Sequence, residues 1–354
     1  MSRAAQERQA VGKAAQDPQA MRMEVRSPEE LLPFWLPSLT HRDPKANKGD
    51  YKKLLIFAGA AGMAGAAWFS GLAAFRCGIG MVKYLGTEEN RAILQTLLPE
   101  AMYESLGALE ERREQLKVAL AWPDVMVLGP GLSQKPDALS LMEMLLDCLK
   151  AEAAAGTLHP RLLILDADAL NLIAAKASLA GFLSGGLSSS GLRIAVTPHV
   201  GEMARLAKTP IAAVKSALTG TAVHFAETHG VDVVLKDAAT AVAVRTDADV
   251  CRLYLHQGGS PALAKAGSGD VLTGIIAGVW ALTGGVTDAA LPLAVWLHGR
   301  AGQMAASRPG VHSTLARDIA EGAGQVLRAL GTAETGGRQT EERETQIPPN
   351  RQLN

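Results

Sequence analysis

Short, continuous apolar runs recur along the middle of the chain, with helix-like stretches between most of them. Continuous apolarity, unlike strict alternation, is typical of strands that are covered on both faces. We therefore predict an α/β fold, with a mainly parallel central sheet, helices on both faces and binding loops at the carboxyl ends of the strands. The predicted strands are residues 54–58, 81–85, 125–128, 162–165, 194–197 and 233–235.

Polar segments limit this pattern at both ends. Ser27-Pro-Glu-Glu offers a helix N-cap, a first-turn proline and Glu30 at the capping-box position, so we expect order to begin at Ser27. Residues 1–26 lack the apolar core of a signal peptide, and the chain past Leu330 has little apolar content to bury. We predict a single domain over residues 27–330, between disordered tails at 1–26 and 331–354.

Composition narrows the function. The 354 residues contain 35 Lys+Arg and 35 Asp+Glu, so no global positive field favours nucleic acid or anionic lipid. The longest uncharged run, residues 271–287, is interrupted by glycines and is too short to span a membrane. Three widely separated cysteines suggest neither a disulfide framework nor a metal site, which favours a reducing, cytoplasmic compartment.

The strongest chemical signal is the small-residue turn Gly267-Ser-Gly-Asp270, which leads directly into an apolar helix. Backbone N–H groups of Gly267, Ser268 and Gly269 can approach a phosphate closely, and the helix N-terminus adds partial positive charge. Asp270 is placed to act as general base on a hydroxyl that attacks a phosphoryl group. The alternative is an ordinary loop in which Asp270 is only a helix cap.

A second glycine-rich segment follows the first predicted strand. Gly59, Gly62 and Gly65 are spaced three apart and do not form G-x-G-x-x-G, and no clear acidic residue ends the next strand. A Rossmann dehydrogenase is therefore a weaker alternative.

Four further clusters fall at predicted strand ends. Taken singly, each has a structural explanation as a tight turn, a helix cap or a lysine reaching solvent. Their shared position favours one common site. The clusters are Leu128-Gly-Pro-Gly131, Asp166-Ala-Asp-Ala-Leu-Asn171, Thr197-Pro-His-Val-Gly-Glu202 and Lys236-Asp-Ala-Ala-Thr240.

The histidines and carboxylates add limits to this picture. Only His199 lies inside one of these clusters, so His256, His298 and most other histidines are interpreted as surface or packing residues. No His/Cys/Asp spacing indicates a zinc site. Carboxylates near a phosphate pocket do leave room for Mg²⁺, which binds through few carboxylates and the oxygens of a nucleotide.

Taken in order, these motifs resemble the NAD(P)H-hydrate dehydratase family of the ribokinase-like superfamily, over residues 47–304. The match rests on many modest motifs in the family's order. Beyond the clusters above, they are Asn47-Lys-Gly-Asp with Leu54-Leu-Ile-Phe-Ala-Gly59, Gly65-Ala-Ala67, Val234-Leu-Lys236, Gly267-Ser-Gly-Asp-Val-Leu-Thr-Gly-Ile-Ile276 and Leu297-His-Gly299.

This resemblance implies a lyase that repairs damaged nicotinamide cofactor. Water added to the reduced ring, as in NADHX or NADPHX, would be removed at the expense of ADP or ATP. Phosphorylation of the ring hydroxyl would be followed by loss of phosphate, a far better leaving group than hydroxide. The resemblance leaves ATP against ADP and NADHX against NADPHX open.

The resemblance also implies a role for each matched residue. Asp270 would be the catalytic base and would contact substrate. Nucleotide contacts would come from Lys236, Asp237, Ala238, Ala239, Thr240, Gly267, Ser268 and Gly269. Substrate contacts would come from Ala66, Gly131 and His199, with Asp168, Asn171 and Glu202 as further candidates for orienting the substrate. No residue is assigned as a direct metal ligand, although Mg²⁺ is expected with the nucleotide.

Two positions depart from the family pattern. Asp237 replaces the glycine that usually follows the lysine, and Lys265 brings a cation close to the expected phosphate site. Fewer than 50 residues precede the match, so we expect the companion epimerase to be a separate chain. The resemblance further suggests a homo-oligomer.

Two other functions compete with this one. A small-molecule kinase of the same superfamily, acting on a vitamin precursor or sugar, would share the Gly-Ser-Gly-Asp turn and would retain the phosphate on its product. A nucleotide sensor without turnover would need the turn but no base, so Asp270 argues against it.

Overall fold

The computed structural model describes residues 24–183, 187–246 and 251–345, and these build one ten-stranded sheet. Its strands run in the order β1-β10-β9-β8-β7-β6-β5-β2-β3-β4. Strand β9 is antiparallel to both neighbours, whereas every other pairing is parallel. The strands are β1 Val25–Arg26, β2 Lys53–Phe57, β3 Met81–Gly86, β4 Met102–Ser105, β5 Val125–Leu128, β6 Leu162–Leu165, β7 Arg193–Val196, β8 Asp232–Leu235, β9 Thr240–Arg245 and β10 Cys251–His256.

Helices connect most of the parallel strands. They are α1 Leu32–Thr40, α2 Ala64–Arg76, α3 Glu88–Leu97, α4 Arg112–Leu120, α5 Pro136–Ala155, α6 Asp168–Ala175, α7 Ala177–Leu183, α8 Val200–Leu206, α9 Ile211–Ser216, α10 Leu218–His229, α11 Ser268–Leu282, α12 Thr287–Ala306 and α13 Ala316–Thr345. Short 3-10 turns occupy Pro28–Leu31, Leu187–Ser190 and Pro261–Leu263.

Two hydrophobic cores lie on opposite faces of the sheet. Successive residues of β2 alternate between them, with Leu54 and Ile56 in one core and Leu55 and Phe57 in the other. Helices α2, α11, α12 and α13 pack on the first face, and helices α4 to α10 pack on the second. The prediction of an α/β fold with a mainly parallel sheet and helices on both faces is confirmed, because strands this apolar need cover on both sides.

All six predicted strands are present, and β5 and β6 have the predicted bounds. Four strands were not predicted. β1 has only two residues, and the edge strand β4 is partly exposed and carries no apolar run. β9 contains two alanines, which favour strands weakly, and β10 alternates polar and apolar residues at its start.

The chain ends differ from the expected boundaries. Val25–Arg26 pairs with β10, so order begins before Ser27. The predicted Ser27/Glu30 capping box is present, but it caps a 3-10 turn that precedes α1. The boundary expected at residue 330 lies inside α13, which continues to Thr345. The remaining tail residues, 1–23 and 346–354, lie outside the described residues. Within those residues, no helix has the length and apolarity required to cross a bilayer.

Helices α2 and α11 make an unusually close contact through glycine. A Cβ placed on Gly274 would lie 2.1 Å from the backbone oxygen of Ser70, and one on Gly278 would lie 2.4 Å from Cys77 Cβ. Only hydrogen atoms fit at these two positions of α11. The contact therefore fixes where the amino end of α11 lies.

We expect Gly274→Ala to destabilise the protein by about 1–3 kcal/mol, because the added methyl group forces the two helices apart. Gly220→Ala in α10 is the matched control, because a Cβ there meets no atom within 4 Å. The control should be neutral or stabilising by up to about 1 kcal/mol, since alanine favours helix more than glycine does. Chemical denaturation measures both, and equal effects would contradict the packing explanation.

Candidate functional site

The carboxyl ends of the central strands meet the amino end of α11. Lys236, just after β8, donates a hydrogen bond from Nζ to Asp166 Oδ1, just after β6, at 2.8 Å. A Cβ placed on Gly269 would lie 3.4 Å from Lys236 Nζ. His199, after β7, pairs with Lys236 through an isolated parallel bridge. Residues from four separate clusters of the sequence are thereby brought together at one place.

The turn before α11 has an open set of backbone donors. Gly267 has φ of +89°, and a Cβ there would lie 2.6 Å from the Phe69 ring, so glycine is needed at this position. The Ser268 N–H already donates to the Lys265 carbonyl at 3.2 Å, unlike the sequence-based expectation that it would face a phosphate. In the part of the chain that the structure describes, the N–H groups of Gly267, Gly269 and Asp270 have no hydrogen-bond partner. They remain available to an anion.

Asp270 lies in the first turn of α11, and its backbone is held in place. Its carbonyl oxygen accepts hydrogen bonds from Ser70 Oγ at 3.1 Å and from Thr273 Oγ1 at 2.7 Å. Burial, followed by the negative charge of Asp166, raises the pKa of Asp270 to about 7, against the opposing effect of Lys236. A carboxyl group with this pKa exchanges protons readily near neutral pH, as a general base must.

Lys236 is surrounded by several carboxylates. Burial alone would lower its pKa, but Asp166 and Glu202 outweigh burial and raise it, so Lys236 is charged. Burial raises the pKa of Glu202, with Lys236 opposing that shift. Asp166 belongs to one of the clusters that the sequence placed at a common site, but no role was predicted for it. Its position as the first residue after β6 was the available signal.

His199 acts as the cap of α8. Its Nδ1 accepts hydrogen bonds from the N–H groups of Gly201 at 2.9 Å and Glu202 at 3.3 Å. Glu202 Oε2 in return accepts from the His199 N–H at 2.8 Å. The ring proton therefore belongs on Nε2, and the His199 side chain remains 56% exposed. An exposed ring with a defined tautomer can contact a ligand.

Ala66 and Gly131 also lie together. Gly131 has φ of +57°, its carbonyl accepts from the Ala60 N–H at 2.6 Å, and a Cβ there would lie 2.9 Å from Ala66 Cβ. The loop after β5 therefore packs directly against α2. Asn90 supports the adjoining loop by donating to the Gly59 carbonyl at 2.5 Å.

The remaining candidates have protein partners. The Asp168 carboxylate accepts from the Ser133 N–H at 2.8 Å and from Gln134 Nε2 at 3.0 Å, which orders the loop after β5. Asn171 Oδ1 accepts from Arg205 Nε at 2.9 Å. Their direct contact with substrate stays a prediction. The nucleotide candidates Asp237 and Ala238 are exposed, and Ala239 and Thr240 are partly exposed beside them.

Two basic residues make contacts that the sequence analysis did not predict. Lys265 Nζ donates to the His312 carbonyl at 3.0 Å, so it ties two loops together. His298 is buried, its Nε2 lies 3.1 Å from Ser268 Oγ, and burial lowers its pKa to about 4. His298 is therefore a neutral support of the α11 turn and more than a surface or packing residue. The match to Leu297-His-Gly299 was the signal for it.

Among the described residues, no group of three or more His, Cys, Asp or Glu side chains could hold a metal ion. The residues fit Mg²⁺ only in the mode in which the nucleotide supplies most of the oxygens.

Comparison with known proteins identifies the family of the chain. The family model described as NAD(P)H-hydrate dehydratase matches residues 54–323. The ADP-dependent (S)-NAD(P)H-hydrate dehydratase of Xanthomonas campestris is 32% identical over 283 residues, which are 78% of this chain and 88% of that protein. The bifunctional NAD(P)H-hydrate repair enzyme of Moorella thermoacetica is 34% identical over 307 residues, 85% of this chain and 54% of that enzyme. The chain thus spans about half the length of the bifunctional relatives it matches.

Solved structures give the same relationship. The ADP/ATP-dependent NAD(P)H-hydrate dehydratase of Bacillus subtilis, co-crystallised with ATP/Mg²⁺, superposes with a TM-score of 0.68 and 26% identity. The alignment covers 88% of this chain and 99% of that one. The fold is ribokinase-like, as expected, since a ribokinase-like superfamily protein also shares it.

Because the pKa of Asp270 is raised, the stability of the folded protein should depend on pH. A carboxyl group whose pKa is raised by folding favours the folded state fully below its unfolded pKa, and this contribution is lost as pH rises through about 7. Asp270→Asn removes this pH-dependent loss, because asparagine does not ionise. The free energy of unfolding of the variant, relative to that of the natural chain, should therefore rise by roughly 2–4 kcal/mol from pH 5 to pH 8. Thermal unfolding at both pH values measures this gain. Asp237→Asn, at an exposed position, is the control, and an Asp270→Asn effect that does not change with pH would contradict the prediction.

Proposed function

This chain belongs to the NAD(P)H-hydrate dehydratase family, and we propose that it removes water from hydrated NADH or NADPH in a reaction coupled to ADP or ATP. The observation that carries this proposal is the position of Asp270. A partly buried carboxyl group with a pKa of about 7 lies in the same helical turn as the N–H groups of Gly269 and Asp270, which have no partner among the described residues. A proton acceptor and an anion site are thus adjacent.

The proposed chemistry has two stages. In the first, Asp270 accepts the proton of the ring hydroxyl, whose oxygen attacks the terminal phosphorus of the nucleotide and breaks the bond to its leaving oxygen. In the second, the lone pair of the ring nitrogen expels phosphate, and loss of a proton from the neighbouring carbon restores the dihydropyridine. The hydroxyl oxygen leaves within phosphate, which accounts for the water removed.

The chain's own residues stabilise the charge that develops in the first stage. The helix N-terminus, the free N–H groups of Gly267 and Gly269, and Lys236 Nζ all present positive charge to a phosphoryl group. Mg²⁺, entering with the nucleotide, would neutralise its phosphate oxygens. Asp237, Ala238, Ala239 and Thr240 would border the rest of the nucleotide, at the rim of the same pocket.

Substrate would bind on the other side of Asp270. Ala66 and Gly131 pack closely against each other, and the exposed His199 ring faces solvent from the cap of α8. Asp168, Asn171 and Glu202 would orient the substrate mainly through the loops that they hold.

The cellular setting is part of the proposal. Cys77, Cys148 and Cys251 are free and buried, which suits a reducing cytoplasm. An epimerase activity would supply the epimer that the dehydratase accepts. The protein would act as a homo-oligomer.

The test is to incubate the protein and Mg²⁺ with hydrated NADH or hydrated NADPH, adding ADP or ATP separately. Recovery of reduced-nicotinamide absorbance and release of phosphate are followed together. We expect equal amounts of both, and the more active pairing identifies nucleotide and substrate. Asp270→Asn should lower kcat by at least about 10²-fold, the usual contribution of a general base. Phosphate retained on the product would indicate a kinase, and no recovery with either nucleotide would refute the proposal.

Activity should also depend on pH in one direction. Because Asp270 must be ionised to accept a proton, kcat/KM should fall about tenfold per unit as pH drops below about 7, and should level off above it. A pH–rate profile between pH 5 and 9 measures this. A profile that is flat across pH 7 would show that another group is the base.

A further inference from the structure

We propose that Asp166 is a positioning residue of this site, which holds Lys236 Nζ against the amino end of α11 where phosphate is to be bound. This inference rests on the proposed function. The sequence placed Asp166 in a cluster at the common site without a role, and the proposed chemistry does not use its carboxylate directly.

The ion pair of Lys236 and Asp166 lies next to the turn before α11. Lys236 Nζ lies 2.8 Å from Asp166 Oδ1. From the position of a Cβ on Gly269, Lys236 Nζ is 3.4 Å away and Asp166 Oδ2 is 3.7 Å away. Both partners therefore face Gly269, and a side chain at position 269 would separate the turn from the cation. The Asp166 side chain is 2% exposed and that of Lys236 is 21% exposed, so the lysine is the member that a ligand can reach.

The backbone around Asp166 holds its carboxylate in a fixed place. The Asp166 N–H donates to the Leu128 carbonyl at 3.1 Å, and its own carbonyl accepts from the Ala169 N–H at 3.2 Å. A Cβ on Gly129 would lie 2.1 Å from that carbonyl oxygen, so the adjacent strand end approaches closely. The next residue, Ala167, has φ of +51°, a conformation that non-glycine residues rarely adopt. Asp166 is thus a rigid anchor at the end of β6.

Lysine needs such an anchor. Its four-carbon stem has many rotamers, and a single ammonium group has no built-in direction. The hydrogen bond to Asp166 selects the conformation that points Nζ at the turn. A lysine fixed in this way stabilises charge on a phosphate without reorganising when the charge develops.

Asp166 also balances the charge around Asp270. The charged groups that face Asp270 are Asp166 and Asp168 from the end of β6 and the start of α6, Glu202 from α8, and Lys236 from the end of β8. His298 of α12 is neutral. Asp166 and Lys236 act on the proton of Asp270 in opposite directions, and this opposition provides the test.

The alternative is that the pair serves only the fold. Buried ion pairs occur elsewhere in this protein: Arg193 Nη2 lies 2.6 Å from Asp232 Oδ1, at the amino end of β8 and away from the site. Asp232 is as deeply buried as Asp166. Asp232→Asn is therefore a matched control for the loss of a buried anion.

The experiment is a double-mutant cycle of Asp166→Asn and Lys236→Met, with ADP affinity measured by calorimetry and with kcat, KM and the pH–rate profile measured where there is turnover. We expect Asp166→Asn alone to weaken ADP binding about tenfold or more, and Lys236→Met to weaken it at least as much. In the Lys236→Met background, Asp166→Asn should change ADP affinity less than about twofold. Asp232→Asn should leave ADP affinity unchanged.

The pH–rate profile separates positioning from folding. The low-pH limb should move to lower pH in Asp166→Asn, because a neighbouring negative charge is lost. It should move to higher pH in Lys236→Met, and the two shifts should largely cancel in the double variant. Asp166→Glu should recover part of the affinity if its carboxylate reaches Lys236.

Circular dichroism and thermal unfolding establish that each variant is folded. If Asp166→Asn does not fold because it leaves a buried lysine unpaired, the double variant compared with Lys236→Met still tests whether Asp166 has an effect of its own. Equal losses from Asp166→Asn in both backgrounds, or unmoved pH limbs, would overturn the inference. An inactive natural chain would instead refute the proposed function, and the ADP-binding cycle would still decide the role of Asp166.

Discussion

The close contact between α2 and α11 is the constraint on which the site depends. Gly274 and Gly278 bring the backbone of α11 against Ser70 and Cys77, and Ser70 Oγ also bonds to the Asp270 carbonyl. A helix held this tightly cannot shift along its axis. Its amino end, with unpartnered N–H groups, therefore stays at the carboxyl edge of the sheet, where strand-end side chains reach it. Packing in the first hydrophobic core thus determines the electrostatics of the pocket.

The site gathers several carboxylates, and their mutual repulsion lowers the stability of the folded protein. Asp166, Glu202 and Asp270 are close to a single lysine, and burial removes much of the water that would otherwise screen them. The same crowding keeps Asp270 partly protonated near neutral pH, which a base of ordinary acidity would not be. The positive charge of Lys236 offsets part of the repulsion among these carboxylates. The helix end and the lysine bring positive groups to the same place, which would favour an anion there.

Two glycine-rich segments that look alike in the sequence have different uses. The segment after β2 is joined to the loop after β5, since the Gly59 and Ala60 N–H groups donate to the carbonyls of Pro130 and Gly131. Two of its donors are therefore used to hold two loops together. The turn before α11 instead adjoins Lys236 Nζ and carries Asp270 in the helical turn that follows it. These charged neighbours, which spacing alone does not show, distinguish the two segments.

The sequence alone determined the sheet, its six central strands, the turn before α11 and the candidate base, because apolar runs and glycine turns are local properties of the chain. It also determined the family resemblance through the order of modest motifs. It missed β4 and β9, whose residues give only a weak strand signal, and it left Asp166 without a role and did not find the bond of His298 to Ser268. Only the tertiary structure decided those, because a hydrogen-bond partner lying 70 residues away along the chain, or 30, leaves no periodic trace in the sequence. The pKa of Asp270 has the same origin, since burial and charges from four other elements set it.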